Sequence, residues 1–279
     1  LPPPRDPGQC FGEVVLQAIA AYEAGDRVVC GAALGVADTL AGRVPPAAAN
    51  RGAFETYRRF LGRLLEMPWP PSAAAAHVIG DSHSLTMAHR LLDAGHGMRR
   101  LVPSLVFGCM AWHLASPAPN AHAAAFEIAI AACAEGATLL ACFGELDCRS
   151  TGGLFKRLRS GADRDVGDAA ARLAAGYLGR LRRAAAVRAL KVIVVVPPAA
   201  LVDDSALPPA ERALFRAIAP AFAAALRRDA GDAGWPVIDL AAVTRDEDGL
   251  VDGAHHVDTS HVMPAAFVAT AERAGFRAA

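Results

Sequence analysis

From residue 73 onward the chain alternates short apolar runs with longer amphipathic stretches, a pattern that few folds can satisfy. The runs are residues 77–79, 101–107, 138–143, 192–196 and 236–240. Each is strand-sized, and the stretches between them, roughly 10 to 25 residues long, repeat apolar positions at three and four as a helix does. A strand buried on both faces reads as an unbroken apolar run, and a helical crossover returns the chain parallel to the strand it left. The pattern predicts an α/β domain with a doubly wound parallel sheet of about five strands. Ligands in such sheets bind beyond the carboxyl ends of the strands, so the residues after each run are where chemistry is expected.

The first third of the chain differs. Val14, Val15, Ala18, Ile19 and Tyr22 share one helical face, as do Phe54, Tyr57, Phe60, Leu61, Leu64 and Leu65. Three helices are predicted over residues 9–66, with no strand. Ala18 to Ala33, with Tyr22, Gly25 and Asp26, resembles one tetratricopeptide-type hairpin, and an ordinary helical cap explains it as well. Met67-Pro-Trp-Pro-Pro-Ser72 is a stiff, helix-breaking connector. The chain therefore divides into a helical N-terminal extension, 1–72, and an α/β domain, 73–279. The extension is the surface on which a protein partner would dock.

Charge narrows the function. With 28 basic and 28 acidic residues the net charge is zero, so the general attraction that nucleic acid and anionic membranes require is missing. No apolar run approaches the ~20 residues that span a bilayer. The six cysteines form no CxxC pair and are expected as free thiols of a reducing, cytoplasmic compartment. The opening Leu1-Pro-Pro-Pro-Arg5 carries neither a Met nor the basic and apolar regions of a signal peptide, as in a trimmed chain.

Four strand ends carry chemistry-bearing residues. The first run ends in Gly80-Asp81-Ser82-His83-Ser84, before a helix predicted over 85–94. A Ser on a strand-to-helix turn suits a nucleophile beside free backbone N–H groups, and equally an N-cap. The second ends in Phe107-Gly108-Cys109, where Gly offers an unshielded N–H. The third ends in Gly144-Glu145-Leu146-Asp147-Cys148-Arg149, whose charges can also pair with one another. After the last comes Val251-Asp252-Gly253-Ala254-His255-His256-Val257-Asp258-Thr259-Ser260-His261, then a helix from Pro264. A hydrolytic serine needs a base and a carboxylate to orient it, and this loop holds candidates for both.

In order and spacing, Gly80-Asp81-Ser82, Gly108, Gly144-x-x-Asp147 and Asp252-x-x-His255 resemble the SGNH/GDSL hydrolases. The likeness spans about residues 75–275. The Gly-Asp-Ser-His and Gly-Glu-Leu-Asp-Cys-Arg blocks are most similar to a bacterial branch with Gly-Asp-Ser-His and Gly-Glu-Ile-Asp-Cys-Arg. The resemblance implies a flavodoxin-like three-layer sandwich and a serine esterase or acyltransferase. It makes Ser82 the nucleophile, His255 the base and Asp252 its orienting carboxylate, with the N–H groups of Ser82 and Gly108 as oxyanion donors. Asp81 and Arg149 join Gly108 as oxyanion or substrate-binding residues. The family's usual Asn in the third block is Leu146 here, and Arg149 is the neighbour that would substitute.

The final block can be read in other registers. His256 is followed by Val257-Asp258 much as the family's His is followed by its own ending, and Asp258 with His261 repeats the Asp-x-x-His spacing. The offset of Asp252 favours His255. The substrate class expected is an O-acyl ester, short-chain such as acetyl, of a glycan or small metabolite. No cofactor and no metal are required, because Ser, His and Asp complete the chemistry. Two other classes fit the same residues: a metal hydrolase using His255, His256 and His261, and a non-catalytic binding module on the same fold. Residues 149–165, rich in Gly and Arg, read as a lid over the sheet end, with Arg157 and Arg159 facing an anionic substrate or solvent.

Overall fold

The computed structural model describes residues 6–46, 48, 50–70, 73–198, 207–245, 251, 253–258 and 260–279. The chain forms two compact units, one ending at Trp69 and the other beginning at Pro70.

The first unit is three helices, α1 (Pro7–Glu23), α2 (Arg27–Ala41) and α3 (Arg51–Leu65). Asp6 caps α1 by accepting the Gln9 N–H, and Asp26 caps α2 by accepting the Val29 N–H at 2.9 Å. Gly25, at φ 80°, turns the chain between them. Phe11, Val15, Ile19 and Tyr22 of α1 are buried with Cys30 and Leu34 of α2 and Phe60, Leu61 and Leu64 of α3. Trp69, from the proline-rich connector, stands edge-on to Tyr22 at 5.5 Å between centroids and takes Arg27 over its face.

The second unit is built on a seven-stranded sheet. The five apolar runs lie on β1 (Ala75–Gly80), β3 (Arg99–Leu105), β4 (Thr138–Cys142), β5 (Lys191–Val196) and β6 (Val237–Asp239), and every pairing among these is parallel. The expected count of about five is corrected by two short strands, β2 (Leu91–Asp93) and β7 (Arg277–Ala278), which pair antiparallel and extend the sheet beyond β3 to the order β6-β5-β4-β1-β3-β2-β7.

They arise because the helix expected over 85–94 stops early. Helix α4 (His83–Met87) ends at Ala88 in extended conformation, His89 turns at φ 58°, and the His89 N–H bonds to Leu101 O of β3 at 2.8 Å. Pairing with β3 replaces the remaining helical turns.

Neighbouring side chains on each strand enter opposite cores. Ile79, Leu139, Ala141, Val192, Val194 and Val196 pack against α5 (Ala111–Ala115), α6 (Ala121–Ala131), α8 (Val166–Val187) and α9 (Pro209–Asp232). Val78, Leu140, Cys142, Ile193, Val195 and Ile238 pack with Met87 of α4 and with Ala266, Phe267 and Ala271 of α10 (Pro264–Arg273). Burial on both faces is why these strands carry no polar alternation.

From β1 the chain passes through β2 to β3 on one side, then crosses to β4 on the other. This reversal makes the carboxyl end of β1 the switch point where such a sheet opens a crevice.

Candidate active site

The close approach of β1 and β4 shapes the first strand end. Gly80 pairs with Cys142, and a Cβ on Gly80 would lie 2.5 Å from the Cys142 carbonyl oxygen, so only glycine fits. Asp81 and Ser82 then turn the chain into α4. The Asp81 N–H bonds to Cys142 O at 3.2 Å, and Ser82 sits at the N-cap of α4, 7% exposed. On the other flank, Val106 N–H bonds to Gly80 O at 2.8 Å, so Gly108 stands two residues past that bond as Ser82 stands two past Gly80. Gly108 adopts φ 65° and is exposed, leaving its backbone open to a ligand.

The third block supports this edge from the β4 side. Gly144 has φ 117°, and a Cβ there would collide with the Phe222 ring. Leu146–Cys148 forms a 3-10 turn. The buried Asp147 carboxylate accepts the N–H groups of Ala111 at 2.7 Å and Trp112 at 3.1 Å, fixing the start of α5 just beyond Gly108. Burial is the main cause that pushes the Asp147 carboxyl up to about 7; the two N–H bonds oppose it, and the charges of Asp81 and Glu145 add to it.

Arg149 is bound elsewhere than expected. Its guanidinium makes a two-pronged pair with Glu145, Nε to Oε1 at 2.7 Å and Nη2 to Oε2 at 2.7 Å. Glu145 is 1% exposed, so Arg149 supplies a hydrogen-bonded counter-charge to a buried carboxylate. Arg157 is engaged too, paired with Asp163 at 2.6 Å and lying 4.8 Å over Trp112, while Arg159 reaches Glu211. The stretch expected as a lid contains the helix α7 (Gly153–Arg159), whose Leu154, Phe155 and Leu158 are buried.

The last loop holds a histidine–carboxylate pair in the later register. Asp258 Oδ2 stands 2.8 Å from His261 Nδ1, and Asp258 Oδ1 accepts the N–H groups of Ser260 and His261, each at 2.8 Å. His261 is buried, while His255 is half-buried and accepts the Met263 N–H through its carbonyl at 2.8 Å. Asp252, the carboxylate expected to orient His255, lies outside the described residues. The loop is fastened to α4, for Ser260 O meets the His83 imidazole at 2.9 Å and Val262 O accepts from Thr86 Oγ1 at 3.3 Å. The His261 ring thereby lies 5.6 Å from that of His83, next in sequence to Ser82.

Electrostatics suit His261 to accept a proton. Burial is the largest influence and lowers its pKa below 6.5; the Asp258 hydrogen bond works against this, and the charge of His83 adds to the lowering. Asp258 behaves in the opposite sense. Burial alone would raise its pKa, but the hydrogen bond and charge of His261, with the two backbone N–H groups, bring it down to about 2. A carboxylate beside a neutral imidazole is thus the resting state at neutral pH.

Two further expectations meet the geometry. Asp81 does not face outward as a substrate ligand: it is 1% exposed and its Oδ1 bonds the His83 backbone N–H and Nδ1, both at 3.0 Å. His261, one of three histidines considered as metal ligands, has Nδ1 occupied by Asp258. A different cluster, Cys109, His113 and His122, brings its ligand atoms within 4.8 Å of one another. Its imidazoles stack at 4.1 Å and 16°, however, and near-parallel rings cannot both hold one ion in their planes. His113 Nδ1 also accepts the Met110 N–H at 3.0 Å, so the cluster braces the loop after β3. All six cysteines are free thiols, and no helix among the described residues is long and apolar enough to cross a membrane.

No protein-family model matches the chain, and no curated protein matches it. Several solved structures are similar to it. A protein from Bacteroides fragilis described as an acylhydrolase is 12% identical over 77% of this chain and 91% of its own, with a TM-score of 0.44. The extracellular lipase of Streptomyces rimosus is 16% identical over 72% of this chain and 100% of its own, also at 0.44. A catalytic mutant of an acetylxylan esterase from Geobacillus stearothermophilus is 12% identical over 75% of this chain and 94% of its own, at 0.40.

Proposed function

We propose that the protein is a serine carboxylic-ester hydrolase in which Ser82 is the nucleophile, His261 the general base and Asp258 the carboxylate that orients it. The observation that carries this reading is the Asp258–His261 pair, 2.8 Å apart, on a loop tied to the helix that Ser82 caps. With Nδ1 held by Asp258, Nε2 is the His261 ring nitrogen that would serve as the base. Ser82 Oγ attacks the ester carbonyl while Nε2 takes its proton and passes it to the departing alcohol. Water then attacks the acyl-serine by the same route in reverse. The N–H groups of Ser82 and Gly108 are the candidates to stabilise the oxyanion, and Leu146 leaves the usual third donor unfilled. An acceptor hydroxyl in place of that water would give acyl transfer through the same atoms.

The substrate reading is a short O-acyl group, such as acetyl, on a glycan or small metabolite. Beyond α5 lies a cavity of about 240 Å³ lined by Trp112, Ser116, Leu154, Arg157 and Arg172, with room for one sugar ring. The test is kcat/KM across p-nitrophenyl acetate, butyrate and octanoate and acetylated sugars, for wild type, His261→Gln and His255→Gln. The reading expects acetate to be the best chain length, His261→Gln to be inactive and His255→Gln to stay within a few-fold of wild type. Loss in His255→Gln with retention in His261→Gln would move the base to residue 255, and no hydrolysis of any ester would overturn the function.

A further inference from the structure

His83 follows the candidate nucleophile directly and has no part in the scheme above, yet both of its ring nitrogens face acceptors. Nδ1 stands 3.0 Å from Asp81 Oδ1 and Nε2 stands 2.9 Å from Ser260 O. A backbone carbonyl has no proton to give. Asp81 Oδ1 already receives the His83 backbone N–H at 3.0 Å, so it acts as an acceptor on this turn. A neutral imidazole has one N–H and could satisfy only one of these partners, leaving lone pair against lone pair at the other. His83 is 0% exposed, so no solvent relieves such a clash.

We infer that His83 is a doubly protonated imidazolium that serves as a positioning residue, clamping the turn of Ser82 to the loop that carries His261. The inference rests on the reading of Ser82 and His261 given above for its catalytic meaning, and on geometry alone for the protonation state. Two segments of the chain, 177 residues apart, meet at this ring. A cation here also has charges to answer it: Asp81 on its own turn and Glu145 after β4. On the loop side it faces His261, whose own partner is Asp258.

These surroundings act in a consistent direction. Burial opposes a charge on His83, but the Asp81 hydrogen bond, the charges of Asp81 and Glu145, and the Ser260 carbonyl outweigh it and hold its pKa above 6.5. The same charge disfavours a second one on His261, 5.6 Å away between ring centroids. The clamp therefore has two consequences: it fixes where His261 sits, and it keeps that ring neutral in mildly acidic solution, ready to accept the serine proton.

The experiment is side-chain nitrogen NMR of the full ¹³C,¹⁵N-labelled wild-type chain, with each imidazole assigned through its own backbone. The expected result is that His83 shows two protonated ring nitrogens at neutral pH and keeps them as the solution is made mildly alkaline. A His83 ring with one protonated nitrogen at neutral pH overturns the inference. This readout needs no activity, so an inert Ser82 would defeat the proposed function and leave it standing. The catalytic meaning is tested in His83→Gln, checked for folding by circular dichroism. The acid limb of ester hydrolysis should move to higher pH, and kcat should fall more than KM changes. An unmoved pH profile in the folded variant would refute the tuning of His261.

Discussion

Replacing Asp258 by Asn is the sharpest perturbation of the loop, because it keeps the shape and reverses one hydrogen bond. The Asn Oδ1 can still accept the N–H groups of Ser260 and His261, both at 2.8 Å in the native loop. The amide nitrogen takes the place of Oδ2, 2.8 Å from His261 Nδ1, and donates to it. The ring proton must then sit on Nε2, the atom that should receive the Ser82 proton. A base locked in the wrong tautomer costs about 10²–10⁴ in kcat.

Stability should change as well, with a definite sign. The Asp258 carboxyl falls from its ordinary 3.8 to about 2 on folding, a gap worth on the order of 2 kcal/mol at ~1.36 kcal/mol per pH unit. A depressed carboxyl stabilises the fold above its unfolded pKa, and that contribution is lost as pH falls through the folded value. Urea unfolding should therefore find Asp258→Asn less stable by roughly 2 kcal/mol near neutral pH, with the gap closing toward pH 2. Hydrolysis of p-nitrophenyl acetate reports the tautomer. A kcat within a few-fold of wild type, or a stability gap as wide in acid as at neutrality, would refute the reasoning.

Three other outcomes follow from the same geometry. Gly144→Ala meets both a φ of 117° and the Phe222 ring, so it should cost about 2–4 kcal/mol in urea unfolding, part of it recovered in Gly144→Ala with Phe222→Leu. Arg149→Met leaves Glu145 buried without its hydrogen-bonded guanidinium and should destabilise by about 3 kcal/mol, with most of that returned when Glu145→Gln is added. The acid limb of kcat/KM should have its inflection below the ordinary histidine value of 6.5, because burial first, and the His83 charge in addition, lower the His261 pKa; an inflection at or above that value would contradict the assignment.

The parallel strands were legible because each is buried on both faces, so Leu139 to Phe143 and Val192 to Val196 carry their signal without a break. Strands β2 and β7, three and two residues long, have no such signature and exist only through pairing at the sheet edge. The strand ends could be located for the same reason as the strands. Their internal wiring was partly readable: Glu145 and Arg149 are four apart and of opposite charge, and they pair. The final block was harder, since Asp252-x-x-His255 and Asp258-x-x-His261 are equivalent as local spacings. The docking of Ser260 and Val262 on α4, a contact across about two-thirds of the chain, is something no local spacing reveals. The state of His83 was likewise hidden, because it depends on a carbonyl that no motif encodes.

The most direct test of the account is whether Ser82 is an activated nucleophile. Wild-type protein and Ser82→Ala are treated with a fluorophosphonate, and the adduct is located by peptide mass spectrometry. The account predicts one adduct, on Ser82, that is absent from Ser82→Ala and suppressed in His261→Gln. Folded wild-type protein that takes no label at Ser82, or takes it equally well without His261, would contradict it.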